Sequence, residues 1–390
     1  MGNIRNFKGI RRAILNFDYY WSKGKFLCYR VLQMGGVILF PFILILRFKE
    51  YCKGDSYWPE CVRKSTFRIF MDQLGWVFRK GELNNFYYML GMDRKDAGNI
   101  YEYVGEITWT NARRKKNEVK RQWKFFSASA LLLDKYYFGA LLESLGYKTP
   151  HIRFFINDGI VRDLDRKCET TFASIFENGD CRYFFKRAAG GGGKDVDNFV
   201  VKMQEGKLFR LNEETTIDSI CESVKRDRWI VQEKLEGQHK DMAKYHEASI
   251  NTVRMVTVNQ NGSVFPIAAL ARFGQGGRMK DNGFSGGIIV PINIINGSFA
   301  EYGLMPVQKK RVRLHPDSGL PFAGGCVPMW KTAVAKATEL HKQFYNIHSV
   351  GWDIAFLQDD VCFIEGNDNW HVVDAQVYSP GRPIFRKYFK

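Results

Sequence analysis

Closely spaced cysteine pairs are missing from this sequence. Its eight cysteines are scattered along the chain, and none of them forms a C-x-x-C motif. Because sulfur-ligated metal sites and redox-active dithiols use such pairs, the pattern indicates reduced, buried thiols in a cytosolic protein. Zinc-finger spacing and basic motifs interleaved with aromatic residues are also missing, which argues against a nucleic-acid partner.

A hydrophobic run long enough for a simple membrane crossing is missing as well. The longest apolar stretch, residues 31–46, is interrupted by Pro41. As a helix it would cover ~24 Å of a hydrocarbon layer that is ~30 Å thick. Lysine and arginine residues flank it on both sides, as expected beside anionic head groups. We therefore expect an interfacial or re-entrant segment; the alternative is a helix buried in a soluble core. No small-residue cleavage site follows, so we do not expect a secretory signal.

Acidic residues are outnumbered, most of all at the start of the chain. The protein has 58 Lys and Arg against 41 Asp and Glu, a formal net charge of +17, and residues 1–50 hold nine Lys or Arg against Asp18 and Glu50. Such a charge suits nucleic acid, anionic lipid or polyanionic glycan equally. Together with the apolar run, it predicts that residues 1–50 contact an anionic membrane surface, which would place the protein in the cytoplasm at the inner face of the cell membrane.

The chain is long enough, at 390 residues, to bury a large core. We expect a basic helical N-terminal region over residues 1–115, largely helical between 55 and 105, and a mixed unit of helices and strands over 116–390. The apolar spacing of "LLLDKYYFGALLESLGYKTP" predicts one helix that ends at Gly146.

A hairpin near the C-terminus, "VGWDIAFLQDDVCFIEGNDNW", carries acids on strand positions. A three-residue loop at 358–360 would place Leu357 opposite Val361 and Asp353 opposite Glu365. Strand alternation would put Glu365 on the same face as Phe363 and Asn367. Opposed carboxylates repel, so we expect a cation between them. Magnesium prefers such oxygen ligands, and the alternative is a solvated hairpin face.

A run of four glycines, residues 190–193, follows a predicted strand that ends at Lys186. Glycine-rich loops expose backbone N–H groups that cradle phosphates, to which Lys186 would add positive charge. The spacing matches neither the Walker motif nor the dinucleotide fingerprint, so a flexible linker is the alternative.

The strand in "RWIVQEKLEG" runs directly into Gln232 and Glu233. A strand that ends in polar groups can offer its backbone to an adenine edge, with Glu233 near the exocyclic amine; the alternative is an ordinary strand end.

The order of these motifs resembles the ATP-grasp superfamily from about residue 120 to 385. Lys135 in "LLDKYYF", Lys186, "VQEKLEG", Asp353 and the pair Glu365-x-Asn367 occur in the order that this superfamily uses. Further segments, "SINTVRMVT", "ALARFGQGGRMKDNGFSGGIIV" and "HPDSG", resemble its sugar-transfer-associated branch, whose members are found with cell-surface polysaccharide synthesis. The resemblance implies an α+β fold in which two lobes clamp ATP.

The same resemblance implies roles for individual residues. Lys135 and Lys186 would hold the α- and β-phosphates, and Gln232 and Glu233 would recognise adenine. The remaining members of the implied site are Gly190, Gly191, Gly192 and Gly193 over the triphosphate, Asp353, Glu365 and Asn367 on magnesium, and Arg254, Arg272, Asp281 and Asn282 at the reacting groups.

The implied reaction is the ATP-dependent activation of a carboxylate as an acyl phosphate, which an amine then attacks. Such chemistry needs alignment, charge neutralisation and exclusion of water rather than a covalent nucleophile. No Ser-His-Asp or Cys-His arrangement stands out, and we place neither His315 nor His371 in the catalytic set. The expected ligands are ATP, Mg²⁺, and a carboxylate and an amine, as small molecules or glycans. The alternatives are a kinase or dikinase of a sugar hydroxyl, or a non-catalytic membrane-bound nucleotide-binding scaffold.

Overall fold

Two antiparallel sheets and a set of helices make up the described part of the protein, in agreement with the α+β expectation. The computed structural model describes residues 35–119, 128–177, 179–189, 198–210, 213–276, 286–344 and 346–377. Residues 190–193, 281 and 282 of the expected site lie outside the described residues.

The N-terminal region contains four α-helices among its described residues. They are α1 at 35–46, α2 at Phe48–Cys52, α3 at Thr66–Lys80 and α4 at Glu106–Val119, with a 3₁₀ turn at Ile100–Glu102. The chain stays helical on both sides of Pro41. The prediction of helix through most of 55–105 is wrong, because α3 ends at Gly81, whose φ of 68° is left-handed, and turns follow.

The first sheet has eight strands in the order β3-β2-β1-β8-β4-β5-β6-β7. Their bounds are β1 Ile152–Asn157, β2 Ile160–Asp163, β3 Cys168–Thr170, β4 Cys181–Arg187, β5 Asn198–Gln204, β6 Lys207–Arg210, β7 Glu213–Thr215 and β8 Arg228–Glu233. The helices α5, Ser129–Leu133, and α6, Lys135–Ser144, precede it, and α7, Ile217–Val224, lies between β7 and β8. Phe185 and Phe199 stack in its core at 5.1 Å between ring centroids.

The second sheet has seven strands in the order β13-β12-β11-β10-β9-β14-β15. Their bounds are β9 Thr252–Gln260, β10 Ser263–Phe273, β11 Ile288–Pro291, β12 Gly303–Met305, β13 Lys310–Val312, β14 Ser349–Phe356 and β15 Val361–Asn367. The remaining helices are α8, Lys240–Ala243, α9, Trp330–Gln343, and α10, Val372–Gln376. One face of this sheet packs on α9, and the other contributes Leu270, Ile289 and Leu304 to the core of the N-terminal helices.

The C-terminal hairpin has the predicted pairing of Asp353 with Glu365 but not the predicted loop. Phe356, not Leu357, pairs with Val361, so the loop has four residues, 357–360. A bulge at Ile364 then restores the register. The bulge also reverses the alternation: Phe363 packs in the main core, whereas Glu365 turns to the other face with Asp353. The expectation that Glu365 and Phe363 share a face is therefore wrong.

Candidate active site

Three charged residues lie side by side across β9, β14 and β15. Arg254 pairs with Asp353, and Asp353 pairs with Glu365. Directly paired residues of neighbouring strands point to the same face of a sheet, so the three side chains form a row. This face is opposite to the one that packs on α9.

Asp353 is clamped by two arginines. Its Oδ1 accepts from Arg254 Nε at 2.5 Å and from Arg272 Nη1 at 3.1 Å, while its Oδ2 accepts from Arg254 Nη2 at 3.0 Å. All three side chains are largely buried. The protein itself therefore compensates the charge of Asp353. The repulsion between the paired carboxylates does not by itself require an added cation, contrary to the sequence argument.

Lys135 reaches the site because Asp134 interrupts the helix that was predicted to be continuous. The Asp134 carboxylate accepts from the N–H groups of Tyr136 and Tyr137, which starts α6 at Lys135. Arg228 Nη1 donates to the same carboxylate at 2.6 Å. The Lys135 N–H donates to the Ala188 carbonyl at 2.7 Å, which ties the start of α6 to the end of β4. Lys135 is thereby anchored to the first sheet.

Lys186, near the end of β4, interacts electrostatically with the same carboxylate as Lys135. Lys135 Nζ lies 3.7 Å from Glu365 Oε1. Burial lowers the pKa of Lys186 to about 8; Glu365 opposes this effect and Lys135 reinforces it. The two lysines and Glu365 thus come together from α6, the first sheet and the second sheet.

The electrostatic balance of this cluster is positive. Four cationic side chains, Lys135, Lys186, Arg254 and Arg272, surround the two carboxylates of Asp353 and Glu365. Such an excess of buried and half-buried positive charge suits a polyanion such as a triphosphate.

The residues also fit Mg²⁺ that is bound largely through phosphate oxygens. Asp353, Glu365 and Asn367 offer oxygen donors on one end of the hairpin. The amide nitrogen of Asn367 is buried and has no hydrogen-bond partner among the described residues, so it can donate to a bound acceptor such as a phosphate oxygen. Within the same ranges no three His, Cys, Asp or Glu side chains cluster as a metal site. Magnesium here would therefore depend on water and nucleotide to complete its shell.

The predicted adenine residues are not both turned to the lysines. Glu233 pairs with Tyr183, three residues before Lys186 on β4, so strand alternation turns its carboxylate to the opposite face. Its N–H donates to the His151 carbonyl at 3.3 Å. Gln232 lies on the lysine face, where its Nε2 donates to the Pro150 carbonyl at 3.2 Å. A role in adenine recognition stays a prediction.

Sequence reasoning missed the residues that hold the turn after β10. His315 is buried, its pKa is lowered by burial, and its Nε2 lies 2.9 Å from the Gly274 carbonyl oxygen. Asp317 accepts from the Gly276 N–H at 2.7 Å. The "HPDSG" segment therefore fixes the turn that follows Arg272. Asp134 was missed as well, although aspartate is a preferred residue directly before a helix.

The mixed α+β fold, with two lysines from one side and paired carboxylates from the other, agrees with the ATP-grasp class that the motif order predicted. More narrowly, the chain belongs to the sugar-transfer associated ATP-grasp family, which matches residues 114–382. This confirms the superfamily and the branch that the motif order predicted.

Solved structures give a distant likeness. D-alanyl-alanine synthetase A from Vibrio cholerae O1 biovar eltor str. N16961 aligns at 12% identity over 67% of this chain and 64% of its own, with a TM-score of 0.36. D-alanine-D-alanine ligase from Helicobacter pylori aligns at 10% over 67% and 61%, with a TM-score of 0.36. Carboxyaminoimidazole ribonucleotide synthase from Aspergillus clavatus, complexed with ATP, aligns at 11% over 70% and 59%, with a TM-score of 0.37.

The chain thus spans less than two thirds of the length of these proteins. At such low TM-scores the likeness adds nothing to the family assignment. No curated protein matches the sequence.

Proposed function

We propose that this protein is an ATP-dependent carboxylate–amine ligase whose substrate is a cell-surface polysaccharide or one of its sugar precursors. The convergence of Lys135, Lys186, Arg254 and Arg272 around two carboxylates supports an ATP site, and the family assignment supports the link to sugar transfer. The reaction class follows from what such a site can do. It can hold a triphosphate rigidly and neutralise the charge that moves during phosphoryl transfer.

In the proposed first step, a substrate carboxylate oxygen attacks the γ-phosphorus. A new oxygen–phosphorus bond forms, the bond to the β-phosphate oxygen breaks, and ADP leaves. Lys135 and Lys186 hold the α- and β-phosphates, while Arg254 and Arg272 stabilise the transferred group. Magnesium, when held by Asp353, Glu365 and Asn367, would draw charge from the phosphate oxygens.

In the proposed second step, an amine attacks the acyl carbon. The carbon–nitrogen bond forms, phosphate leaves with the electron pair of its bond to carbon, and the amine loses a proton. The substrate's amine and carboxylate would bind near the turn that His315 and Asp317 hold, because Arg272 lies directly before it.

The test needs no knowledge of the acceptor. Calorimetry should find that Mg²⁺ strengthens ADP binding to the wild-type protein, and Glu365→Gln should remove that strengthening. The exposed Glu222→Gln is the matched control and should bind as the wild type does. Equal Mg²⁺ dependence in Glu365→Gln would dismiss the metal assignment, and no ADP binding by the wild type would overturn the nucleotide site and the ligase proposal with it. Once an acceptor is found, a stable phosphoester product would replace the ligase with a kinase.

We also propose that residues 1–50 hold the protein at the anionic inner face of the cell membrane. Support comes from their net charge and from α1, which exposes large apolar side chains such as Ile38, Phe42 and Ile45. Across the described ranges, no helix combines the length and apolarity that a membrane span needs. An orientation along the membrane surface suits such a helix.

A further inference from the structure

Helix α3 is apolar on two opposite sides. Ile69, Trp76 and Val77 are buried in the core of the N-terminal region. The second apolar side carries residues spaced i, i+4, i+7 and i+11, which fall on one stripe of a helix: Phe67, Met71, Leu74 and Phe78. Phe67 is 73% exposed and Phe78 56%. A surface helix of a soluble protein normally needs only one apolar stripe, so the second one requires a partner.

Helix α1 has the same property. Its exposed large apolar side chains are spaced i, i+1, i+4, i+7 and i+8 and form one stripe: Ile38, Leu39, Phe42, Ile45 and Leu46. Leu44, which lies on the other side of the helix, is fully buried. Leu74 packs partly against the N-terminal core, but the other members of both stripes are exposed large apolar side chains.

The two helices lie side by side and antiparallel. At the start of α1, Gly36 comes so close to the end of α3 that a Cβ atom would lie 2.6 Å from the Gly81 carbonyl oxygen. At the other end, directly after α1, the Phe48 ring lies 5.7 Å from that of Phe70. The stripes therefore belong to neighbouring helices and not to distant parts of the surface.

The charges around the stripes are positive. Six basic residues lie on helices α1 to α3 or next to their ends, against two acids, Glu50 and Asp72, which pair with Arg47 and Arg68. The six are Arg47, Lys49, Lys53, Arg68, Arg79 and Lys80, so the balance stays positive. A pocket of about 560 Å³ at the start of α3 adds Lys64 and Lys95 to its lining. Residues 1–34, which lead directly into α1, carry seven Lys or Arg and one acid, Asp18.

These charges distinguish between the possible partners that could cover the two apolar stripes. A second copy of this chain, or residues 1–34 folded over the stripes, would bring positive charge against positive charge. A bilayer with anionic lipids offers the opposite charge at its surface and an apolar layer directly beneath it.

We propose that α3 is a second membrane-docking helix, and that α1 and α3 lie together in the plane of an anionic bilayer with both apolar stripes inserted. The inference rests on the membrane location proposed above and adds to it a surface outside residues 1–50. It is independent of the reaction, since the docking helices and the charged row of β9, β14 and β15 share no residue.

Co-sedimentation with vesicles tests this surface. The vesicles contain equal parts of phosphatidylcholine and phosphatidylglycerol. The variant Phe67→Ser/Met71→Ser/Phe78→Ser should lower the partition of the full-length protein into these vesicles at least about tenfold, because it removes three inserted apolar side chains. The matched control Ile160→Ser/Ile295→Ser/Leu314→Ser removes three exposed apolar side chains from other surfaces and should bind as the wild type does. Mg²⁺-dependent ADP binding checks that each variant is folded.

The outcomes separate the proposals. If Ile38→Ser/Phe42→Ser/Ile45→Ser loses vesicle binding while the α3 variant keeps it, the role of α3 is overturned and the location through residues 1–50 stands. If the wild-type protein does not bind these vesicles, the membrane location through residues 1–50 and the role of α3 are both overturned. The ligase proposal is not affected by that result. A wild-type dimer in sedimentation velocity that the α3 variant abolishes would make a second copy the occupant. If the triple variant does not fold, the single variant Phe67→Ser, which changes one exposed side chain, replaces it in the co-sedimentation test.

Discussion

Asp353 and Arg254 lie directly opposite each other on neighbouring strands, and the Asp353 carboxylate accepts two hydrogen bonds from the Arg254 guanidinium, at 2.5 and 3.0 Å. Glu365, the other neighbour of Asp353, is placed differently. Its side chain is 28% exposed, and its ion-pair partner among the described residues, Lys135 Nζ, is 3.7 Å away. Two carboxylates that look equivalent in the sequence therefore differ in what they contribute to the free energy of folding.

The first prediction concerns this difference. Asp353→Asn leaves two buried guanidiniums without their carboxylate, and we expect a loss of about 3–5 kcal/mol in the free energy of unfolding. Glu365→Gln breaks a long, partly exposed ion pair and should cost less than about 1 kcal/mol. Urea denaturation of both variants beside the wild type measures this. A loss of less than about 1 kcal/mol in Asp353→Asn would mean that the arginine clamp does not stabilise the second sheet.

The second prediction concerns the proton on Lys186. Burial lowers the pKa of this amine to about 8, so near pH 8 about half of the free protein carries it uncharged. Phosphate oxygens favour the charged form, so binding of Mg²⁺–ADP at pH 8 should take up about half a proton, and almost none at pH 6. Above pH 8 the affinity should fall. Calorimetry in two buffers of different ionisation enthalpy measures the uptake.

Lys186→Arg is the control for this measurement. A guanidinium stays protonated at every pH used, so the variant should bind without proton uptake. The same uptake in both proteins would show that another group titrates and that Lys186 does not meet the nucleotide.

The C-terminal hairpin shows which structural features could be predicted from the sequence and which could not. Alternation and loop length predicted Asp353 opposite Glu365, but the loop is one residue longer than predicted, and the bulge at Ile364 compensates. A bulge leaves no local signal here. The bulge is needed because Phe363 packs in the core on one face of the sheet, whereas Glu365 lies in the charged row on the other face.

The helices show the same limit. Apolar spacing predicted one helix through "LLLDKYYFGALL", whereas Asp134 divides it by bonding to the N–H groups that follow. Periodicity alone cannot reveal this, although the preference of aspartate for that position could have. In α3, spacing predicts a helix but not which of its two apolar sides is buried, since that depends on how distant parts of the chain pack.

The third prediction concerns Glu82, a buried carboxyl at the start of α4. Its Oε2 accepts from the Ile107 N–H at 2.9 Å, while its Oε1 is buried and has no hydrogen-bond partner among the described residues. Burial raises the pKa of this carboxyl from 4.5 to about 7, against the lowering effect of the Ile107 N–H. The folded protein therefore holds this proton between pH 4.5 and about 7, whereas the unfolded chain releases it.

The sign of the pH dependence follows. Because the folded state binds more protons over this window, the free energy of unfolding should fall as pH rises from 4.5 to about 7. The full effect of the raised pKa amounts to about 3 kcal/mol.

Glu82→Gln keeps an acceptor for the Ile107 N–H but cannot ionise. We expect it to match the wild type near pH 4.5 and to exceed its stability at pH 8 by up to about 3 kcal/mol. Urea denaturation at both pH values measures the difference, and the exposed Glu339→Gln, which should show none, is the control. A variant less stable than the wild type at pH 8 would mean that the ionised carboxylate is held favourably at the start of α4, and that burial does not dominate there.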